Sequence, residues 1–184
     1  SVCPEPLIRQ VMDAMGLAAI VIPYGLTECS PVITMTGITE SDEHRCRSVG
    51  SALEGVEVKL RDPVTHETVP SGVQGEICCR GYNVMKGYFN MPEATAETID
   101  AEGWLHTGDL GKMDEDGFVY FSQRIKRMII TSGYNVYPGQ LENIIDGHEK
   151  VLLSCVIGVK DPYKVQKVKA FVVLRPGFEA NDET

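Results

Sequence analysis

The segment Tyr24–Glu28 combines three side chains that suit a bound nucleotide. The Tyr24 ring can stack on a base, the Thr27 hydroxyl can donate to a phosphate oxygen, and the Glu28 carboxylate can hold Mg²⁺. Gly25 has no side chain, so a ligand can approach its backbone closely. The same residues could also form an ordinary glycine-containing turn with a capping threonine. The segment taken alone favours that simpler interpretation.

Three later segments carry further polar groups of this kind. The Asp109 carboxylate of a Thr-Gly-Asp tripeptide could accept hydrogen bonds from two adjacent ribose hydroxyls, or could form an Asx-type turn. Arg124 and Lys126 belong to a basic run that could contact a ligand or could simply be solvated. Gly133 opens a loop that ends at Pro138, a residue that suits the first turn of a helix. That loop could be no more than a connection.

In this order and at these spacings, the four segments resemble the AMP-forming acyl-CoA synthetases of the adenylate-forming superfamily, over nearly the whole chain. The resemblance implies that Tyr24 lies beside the adenine of ATP or AMP and that Thr27 contacts the α-phosphate. It implies that Glu28 is the ligand of Mg²⁺, which makes Thr27 and Glu28 the catalytic residues. It also implies that Asp109 and Arg124 bind the ribose.

The resemblance further implies a mobile C-terminal domain. Lys126 occupies the hinge about which that domain rotates, and hinges are a few element-terminal residues that absorb a large change in φ and ψ. The Gly133 loop would then face the active site and line the channel for the pantetheine of CoA. The pair Val165-Gln166 departs from the family, in which Gly-Glu is frequent at this position on the CoA side.

By resemblance, the complete enzyme joins a small-molecule carboxylic acid to ATP as an acyl-adenylate and then transfers the acyl group to CoA. The segments Val84–Phe89 and Gly133–Pro138 are most similar to those of fatty-acid CoA ligases, so a fatty acid is the predicted substrate. Two alternatives stay open. One is an acyl-AMP ligase or adenylation domain that passes the acyl group to a carrier protein. The other is a non-catalytic relative that binds nucleotide or acts as a scaffold.

Two motifs of the family are not found in this sequence. One is the Ser/Thr/Gly-rich phosphate loop that lies far upstream of the tyrosine segment. The other is the lysine near the C-terminus that activates the carboxylate. We therefore expect the chain to be a C-terminal fragment of a longer enzyme and to be inactive by itself.

The predicted fold is mixed α+β: the end of an α/β subdomain, a small β-barrel-like subdomain, and a truncated α+β C-terminal domain. Residues 1–123 would be the C-terminal part of the large adenylating domain, with its β-rich part at about 48–122, and residues 124–184 the mobile domain. An amphipathic helix and a short buried strand would deliver Tyr24 to a turn, where open α/β sheets bind ligands. The predicted helices are Pro6–Met15, Pro92–Ile99 and Tyr137–Gly147, and the predicted strands are Leu17–Ile22, Val56–Leu60, Gly75–Arg80, Leu110–Met113, Phe118–Phe121, Met128–Thr131, Leu153–Val159 and Val168–Leu174.

Two pairs of neighbouring residues are assigned to packing rather than to chemistry. Trp104 and His106 precede the Thr-Gly-Asp tripeptide and are expected to be packing and loop residues, not catalysts. Cys78 and Cys79 adjoin in an apolar stretch and are expected to face opposite sides of one strand.

Composition indicates a packed protein that does not bind nucleic acid. Of its 184 residues 43% are hydrophobic, and its net charge is −9 with a pI near 4.9. The six cysteines include no C-x-x-C pair and the four histidines have no metal-ligand spacing, which predicts reduced, buried thiols in a cytoplasmic protein. The longest apolar run, Leu17–Pro23, is too short to cross a bilayer. Peripheral membrane contact and the oligomeric state stay open.

Overall fold

The computed structural model describes residues 5–178 and has a mixed α+β fold, which confirms the predicted fold class. The chain divides into two compact units, residues 1–122 and residues 123–184. The described part contains four α-helices and three sheets, of three, four and four strands.

The N-terminal helix α1 (Glu5–Met15) was predicted, and it ends where Gly16 adopts a left-handed φ of 64°. The strand predicted at Leu17–Ile22 was wrong, because these residues form no regular structure. Ile22 is instead tied to Thr36: its carbonyl accepts from the Thr36 N–H (3.1 Å) and its own N–H donates to the Thr36 hydroxyl (2.8 Å). An apolar run becomes a strand only beside a partner, and strand pairing begins one residue later.

A small antiparallel sheet begins at Tyr24. Its strands are β1 (Pro23–Tyr24), β2 (Thr34–Met35) and β3 (Ser51–Ala52), in that order. Helix α2 (Asp42–Arg47) connects β2 to β3, and the Ser41 hydroxyl caps it by accepting from the His44 N–H (3.2 Å). The connection between β1 and β2 therefore contains the segment that the sequence singled out for nucleotide binding.

The larger sheet of the first unit follows the order of the chain. Its strands are β4 (Val56–Arg61), β5 (Gly75–Gly81), β6 (Leu105–Met113) and β7 (Val119–Arg124), and helix α3 (Pro92–Thr98) comes between β5 and β6. The four predicted strands and the helix are confirmed, although β6 begins at Leu105 rather than at Leu110. Within the described residues the sheet stays open and does not close into the predicted barrel.

Strand β5 lies at the centre of the core. Ile77, Cys78 and Cys79 have no exposed surface. The Cys79 Sγ lies 3.3 Å from the Cys29 Sγ, whereas the Cys78 Sγ lies 3.6 Å from the His106 Nδ1. The two adjacent cysteines therefore face opposite sides of the strand, as predicted.

The second unit is an antiparallel sheet with one helix. Its elements are β8 (Ile129–Thr131), β9 (Tyr134–Val136), α4 (Pro138–Asp146), β10 (Val151–Asp161) and β11 (Val165–Leu174), and the sheet order is β10-β11-β8-β9. The predicted strands and helix are found here. The short strand β9 was not predicted, and β11 begins three residues earlier than expected.

The prediction of buried thiols is confirmed for four cysteines and wrong for one. Cys29, Cys46, Cys78 and Cys79 are free and buried, but Cys155 is exposed, because it falls on the outward side of β10. Cys3 lies outside the described residues. Over residues 5–178, no helix has the length and apolar character that crossing a bilayer requires.

Candidate functional site

Tyr24 and Asp109 are brought together from positions 85 residues apart. The Tyr24 hydroxyl donates a hydrogen bond to the Asp109 Oδ2 at 2.9 Å, and the Asp109 side chain is buried, with 3% of the residue surface exposed. Burial raises the pKa of Tyr24 and the Asp109 charge raises it further, so the hydroxyl stays protonated at neutral pH. Two residues that the sequence assigned separately to a nucleotide thus form one hydrogen-bonded pair.

Asp109 owes its inward position to a bulge in β6. The register pairs Glu76 with Leu110 and Cys78 with His106, so one residue of β5 stands opposite three of β6, residues 107–109. Gly108 adopts a left-handed φ of 71°, which glycine tolerates without strain. The extra residues turn the Asp109 side chain into the interior.

Side chains replace the hydrogen bonds that the bulge removes from the ladder. The Thr107 hydroxyl donates to the Ile77 carbonyl (2.7 Å) and accepts from the Asp109 N–H (3.1 Å). The Glu76 Oε1 accepts from the Gly108 N–H (3.0 Å). The oxygens that accept from the backbone of this tripeptide thus come from a threonine and from the neighbouring strand.

His106 lies next to the bulge on strand β6, not in a loop. Its Nδ1 lies 2.9 Å from the Glu76 Oε2, and its Nε2 lies 3.1 Å from the Arg61 Nη1, which also donates to the Asp100 Oδ2 (3.0 Å). These partners assign the proton to Nδ1 and make Nε2 an acceptor. Both ring nitrogens are engaged, so His106 braces Glu76 and is not placed as a general base.

Glu76, Cys78 and His106 bring three potential metal ligands within 4.8 Å of one another. This group was not predicted from the sequence, because its members come from two strands. Burial, together with the Glu76 charge, raises the pKa of the Cys78 thiol to about 12, and the Arg61 cation lies on the far side of the imidazole. The Glu76 carboxylate is already hydrogen-bonded to His106 and to the Gly108 N–H, which favours a structural network over a cation site.

Trp104 has the packing role that was predicted. It is 7% exposed, and two cations lie over its ring: the Lys59 Nζ at 3.8 Å from the ring centroid and the Arg80 guanidinium carbon at 4.6 Å. Such cation–π contacts help to cover the indole just before β6.

Thr27 and Glu28 lie in a short 3₁₀ turn between β1 and β2. The next residue, Cys29, is fully buried and anchors the turn, while Thr27 is exposed and Glu28 half-buried. The Tyr88 hydroxyl donates to the Glu28 Oε1 at 2.7 Å, which raises the pKa of Tyr88. The sequence did not indicate this partner, because 60 residues separate the two side chains.

Gly25 has a packing reason to be glycine. A Cβ at this position would overlap the backbone of Pro31 and approach the Val32 Cα to 2.9 Å. The chain therefore passes close to Pro31 at Gly25, and this close contact orients the turn that contains Thr27 and Glu28.

Arg124, Lys126 and Gly133 belong to the second unit. Arg124 ends β7, and Lys126 is exposed in a short 3₁₀ turn, Ile125–Arg127, that precedes β8. The basic run is not wholly solvated, because the Arg127 Nη2 pairs with the Glu142 Oε1 of α4 at 2.5 Å.

Gly133 forms the turn of the β8–β9 hairpin. Ser132 and Gly133 are the two loop residues and both have positive φ, 49° and 81°, which is the conformation of a type I′ turn. Val165 also has a positive φ, 69°, at the position where the family frequently has glycine, and the next side chain, Gln166, accepts from the Ile130 N–H (2.8 Å). The Gly133 turn follows from local backbone geometry, whereas Gln166 links β11 to β8.

Comparisons with known proteins identify the family. The family model for AMP-binding enzymes matches residues 1–89, and the model for the AMP-binding enzyme C-terminal domain matches residues 140–184. The protein YngI of Bacillus subtilis (strain 168) is 43% identical over 177 residues, which are 96% of this chain and 32% of that relative. A long-chain-fatty-acid–CoA ligase of Yersinia pestis is 45% identical over 150 residues, 82% of this chain and 26% of that relative.

Solved structures share the fold. ATP-bound MatB from Rhodopseudomonas palustris gives a TM-score of 0.87 at 36% identity, covering 97% of this chain and 35% of that one. The o-succinylbenzoate CoA synthetase MenE from Bacillus subtilis, in complex with its acyl-adenylate intermediate, gives 0.82 at 31% identity, covering 97% and 36%. The chain spans about a third of the length of these proteins. The sequence matches and the shared fold show that the chain belongs to the AMP-binding enzymes, a family that includes acyl-CoA ligases.

Proposed function

We propose that the full-length protein is an ATP-dependent acyl-CoA ligase, which forms an acyl-adenylate from a carboxylic acid and then transfers the acyl group to CoA. The observation that supports this best is the hydrogen bond between Tyr24 and Asp109. It joins the ring proposed for adenine, which is half-buried, to the buried carboxylate proposed for ribose.

In the first half-reaction, the acid carboxylate attacks the α-phosphorus and pyrophosphate leaves. Asp109 accepts hydrogen bonds from the ribose hydroxyls and Arg124 donates to the ribose oxygens, which fixes the nucleotide. The Thr27 hydroxyl donates to an α-phosphate oxygen whose charge grows in the transition state.

Glu28 fits the role of a magnesium ligand. Mg²⁺ prefers oxygen ligands and is commonly held by one or two carboxylates together with substrate phosphates. Glu28 supplies such a carboxylate next to Thr27, and Tyr88 takes only one of its two oxygens. When bound, Mg²⁺ would neutralise charge on the phosphates.

The second half-reaction requires the C-terminal domain, for which we propose residues 124–184, to rotate about Lys126. This assignment is supported by the position of Lys126 in a short turn between two strands, which is typical of a hinge. After rotation, the Gly133 turn would line the path of CoA. Rotation lets one pocket serve two reactions, because each orientation presents a different face of the mobile domain.

We further propose a fatty acid as the substrate. The name of the Yersinia pestis relative supports this choice, and so does the segment Val84–Phe89. The MenE neighbour is named for o-succinylbenzoate, so the acid has to be measured directly. The cytoplasmic location stays a prediction.

The test is pyrophosphate release by the full-length protein with a panel of carboxylic acids, with and without CoA. We expect acid-dependent release, fastest with fatty acids, and thioester only when CoA is present. Release without thioester would instead favour transfer to a carrier protein. No release with any acid would favour a nucleotide-binding or scaffold role.

A further inference from the structure

The segment Val84–Phe89 lies against the Glu28 turn and has no assigned part in the chemistry. It contacts Glu28 twice: the Met85 N–H donates to the Glu28 carbonyl (2.8 Å), and the Tyr88 hydroxyl donates to the Glu28 Oε1 (2.7 Å). One contact holds the backbone of the turn and the other holds the carboxylate itself. Both the position and the orientation of Glu28 therefore depend on this segment.

Tyr88 is aimed at Glu28 by the start of helix α3. The Tyr88 N–H donates to the Thr95 Oγ1 (2.9 Å). The Thr95 hydroxyl in turn donates to the Met91 carbonyl (2.8 Å). Gly87, with a φ of 144°, lets the chain pass this hydroxyl, because a Cβ there would come within 2.7 Å of the Thr95 Cγ2. The segment is thus built to direct one side chain.

The neighbouring aromatic residue has no comparable support. Phe89 is 90% exposed, whereas Tyr88 is half-buried and makes hydrogen bonds through both its backbone and its hydroxyl. The aim of Tyr88 is therefore specific to that position and is not a general property of the loop.

We propose that Tyr88 is a positioning residue for the metal-binding carboxylate: its hydroxyl holds the Glu28 Oε1 and so directs the other oxygen, Oε2, to the Mg²⁺ of the ATP complex. This inference rests on the proposed function of Glu28. A ligating carboxylate that is itself hydrogen-bonded keeps a single orientation, and loss of such a partner typically weakens metal affinity by 10- to 100-fold. The effect of Tyr88 must then pass through Glu28.

The test compares Tyr88→Phe with the unaltered full-length protein, because this change removes only the hydroxyl. Mn²⁺ serves as the probe, since it accepts the same oxygen ligands as Mg²⁺. Unbound Mn²⁺ is counted by electron paramagnetic resonance in the presence of ATP, and pyrophosphate release is measured over a range of Mg²⁺ concentrations. We expect the dissociation constant for Mn²⁺ and the half-saturating Mg²⁺ concentration both to rise about tenfold. The rate at saturating Mg²⁺ should stay near that of the unaltered protein.

Tyr82→Phe is the matched control, because Tyr82 lies on the same connection and is 76% exposed. It should change neither measurement. In a Glu28→Gln background, Tyr88→Phe should have no further effect on Mn²⁺ binding, as expected for two residues that act as one unit.

Three results would overturn the proposals, and they can be told apart. If Glu28→Gln itself leaves metal binding unchanged, the proposed function of Glu28 is wrong. If Glu28→Gln weakens metal binding but Tyr88→Phe does not, the positioning role of Tyr88 is wrong. If Tyr88→Phe strengthens metal binding, the tyrosine hydroxyl competes with the metal for the carboxylate and does not prepare it.

Discussion

In the first unit Asp109 is 3% exposed and is held by groups from two strands, whereas in the second unit Lys126 and Gly133 are exposed at turns. The setting of Asp109 depends on Tyr24 and Glu76, which are distant in sequence. The setting of Gly133 depends mainly on the two strands that it joins, and one contact comes from elsewhere: the N–H of its neighbour Ser132 donates to the Lys164 carbonyl (3.1 Å). The difference teaches that the residue proposed to bind the ribose is placed by the tertiary fold, while the residues proposed for domain movement lie at turns that local backbone geometry mainly sets.

The sheets of the two units also differ in burial: the sheet of the first unit is more buried than that of the second. Strand β5 is buried over residues 75–79, whereas β11 exposes apolar side chains on both faces, including Phe171 at 49% and Val172 at 45%. Strand β11 is held by its pairing with β10, by a shorter pairing with β8, and by the ion pair between Lys167 and Asp161 (2.8 Å). Few buried contacts mean a low free energy of local opening, so the second unit should exchange its amides faster than the first.

Of the substitutions that test this difference, Asp109→Ala in the full-length protein should have the largest effect on activity. We expect kcat/KM for ATP to fall by about 100-fold, the size seen when a preorganised polar contact is removed from an active site. The alanine methyl offers no acceptor to the ribose, and the Tyr24 hydroxyl loses its own acceptor. Initial rates of pyrophosphate release measure the change. Asp116→Ala, in the exposed turn between β6 and β7, is the control. An equal loss of kcat/KM in that variant would contradict the proposed role of Asp109 in ATP binding.

Lys126→Pro tests the proposed hinge in the exposed turn of the second unit. Pyrophosphate release should stay near the unaltered rate, while thioester formation should fall by up to about 100-fold, the cost of misplacing a reacting group by about 1 Å. Proline locks φ and so resists the backbone change that a hinge must make. Single-turnover assays of the two half-reactions measure the split. Lys126→Ala controls for loss of the ammonium group, and equal loss of both half-reactions in the proline variant would contradict the hinge.

Thr107→Val tests whether the bulge depends on its buried hydroxyl. The change keeps the shape but removes the group that bonds the Ile77 carbonyl and the Asp109 N–H. We expect the free energy of unfolding, measured with denaturant, to fall by about 1–3 kcal/mol, because buried partners lose their hydrogen bonds. The KM for ATP should rise as well. Thr107→Ser keeps the hydroxyl and should recover most of both losses; if it behaves like valine, methyl packing is what holds the bulge.

The sequence predicted the elements well wherever the signal was local. Helix α1 follows from apolar spacing, and α4 follows from Pro138 at its first position. The strand at Leu17–Ile22 failed, because hydrophobicity alone does not supply a pairing partner. The exposure of Cys155 also escaped prediction, because it depends on which face of β10 is covered.

The site was less predictable than the elements. The order of motifs identified Tyr24 and Asp109, but not the hydrogen bond between them. The bulge is a property of the register between β5 and β6, which no single segment encodes. Tyr88 was visible only as part of a family-like segment, and its contact with Glu28 appears when two connections of the fold meet.

Gly133→Ala should give the smallest effect. It tests whether Gly133 is needed for the stability of the β8–β9 hairpin. Alanine at a φ of 81° is strained by about 1 kcal/mol, so the β8–β9 hairpin should open more readily and exchange its amides about fivefold faster. Hydrogen exchange at the paired residues Ile129 and Val136 in the full-length protein measures this. Gly139→Ala is the matched control, because a Cβ there meets nothing within 4 Å and alanine favours the helix.

A third variant at this position decides what the glycine is for. Asparagine tolerates a left-handed backbone, so Gly133→Asn should restore slow exchange at Ile129 and Val136. If Gly133→Ala lowers thioester formation and Gly133→Asn restores it, the glycine serves the turn, and the turn serves CoA only by its shape. If exchange recovers while thioester formation stays low, the space above Gly133 is itself needed by CoA. The exposed glycine would then be required by a ligand directly, as is proposed for the buried Asp109 in the first unit.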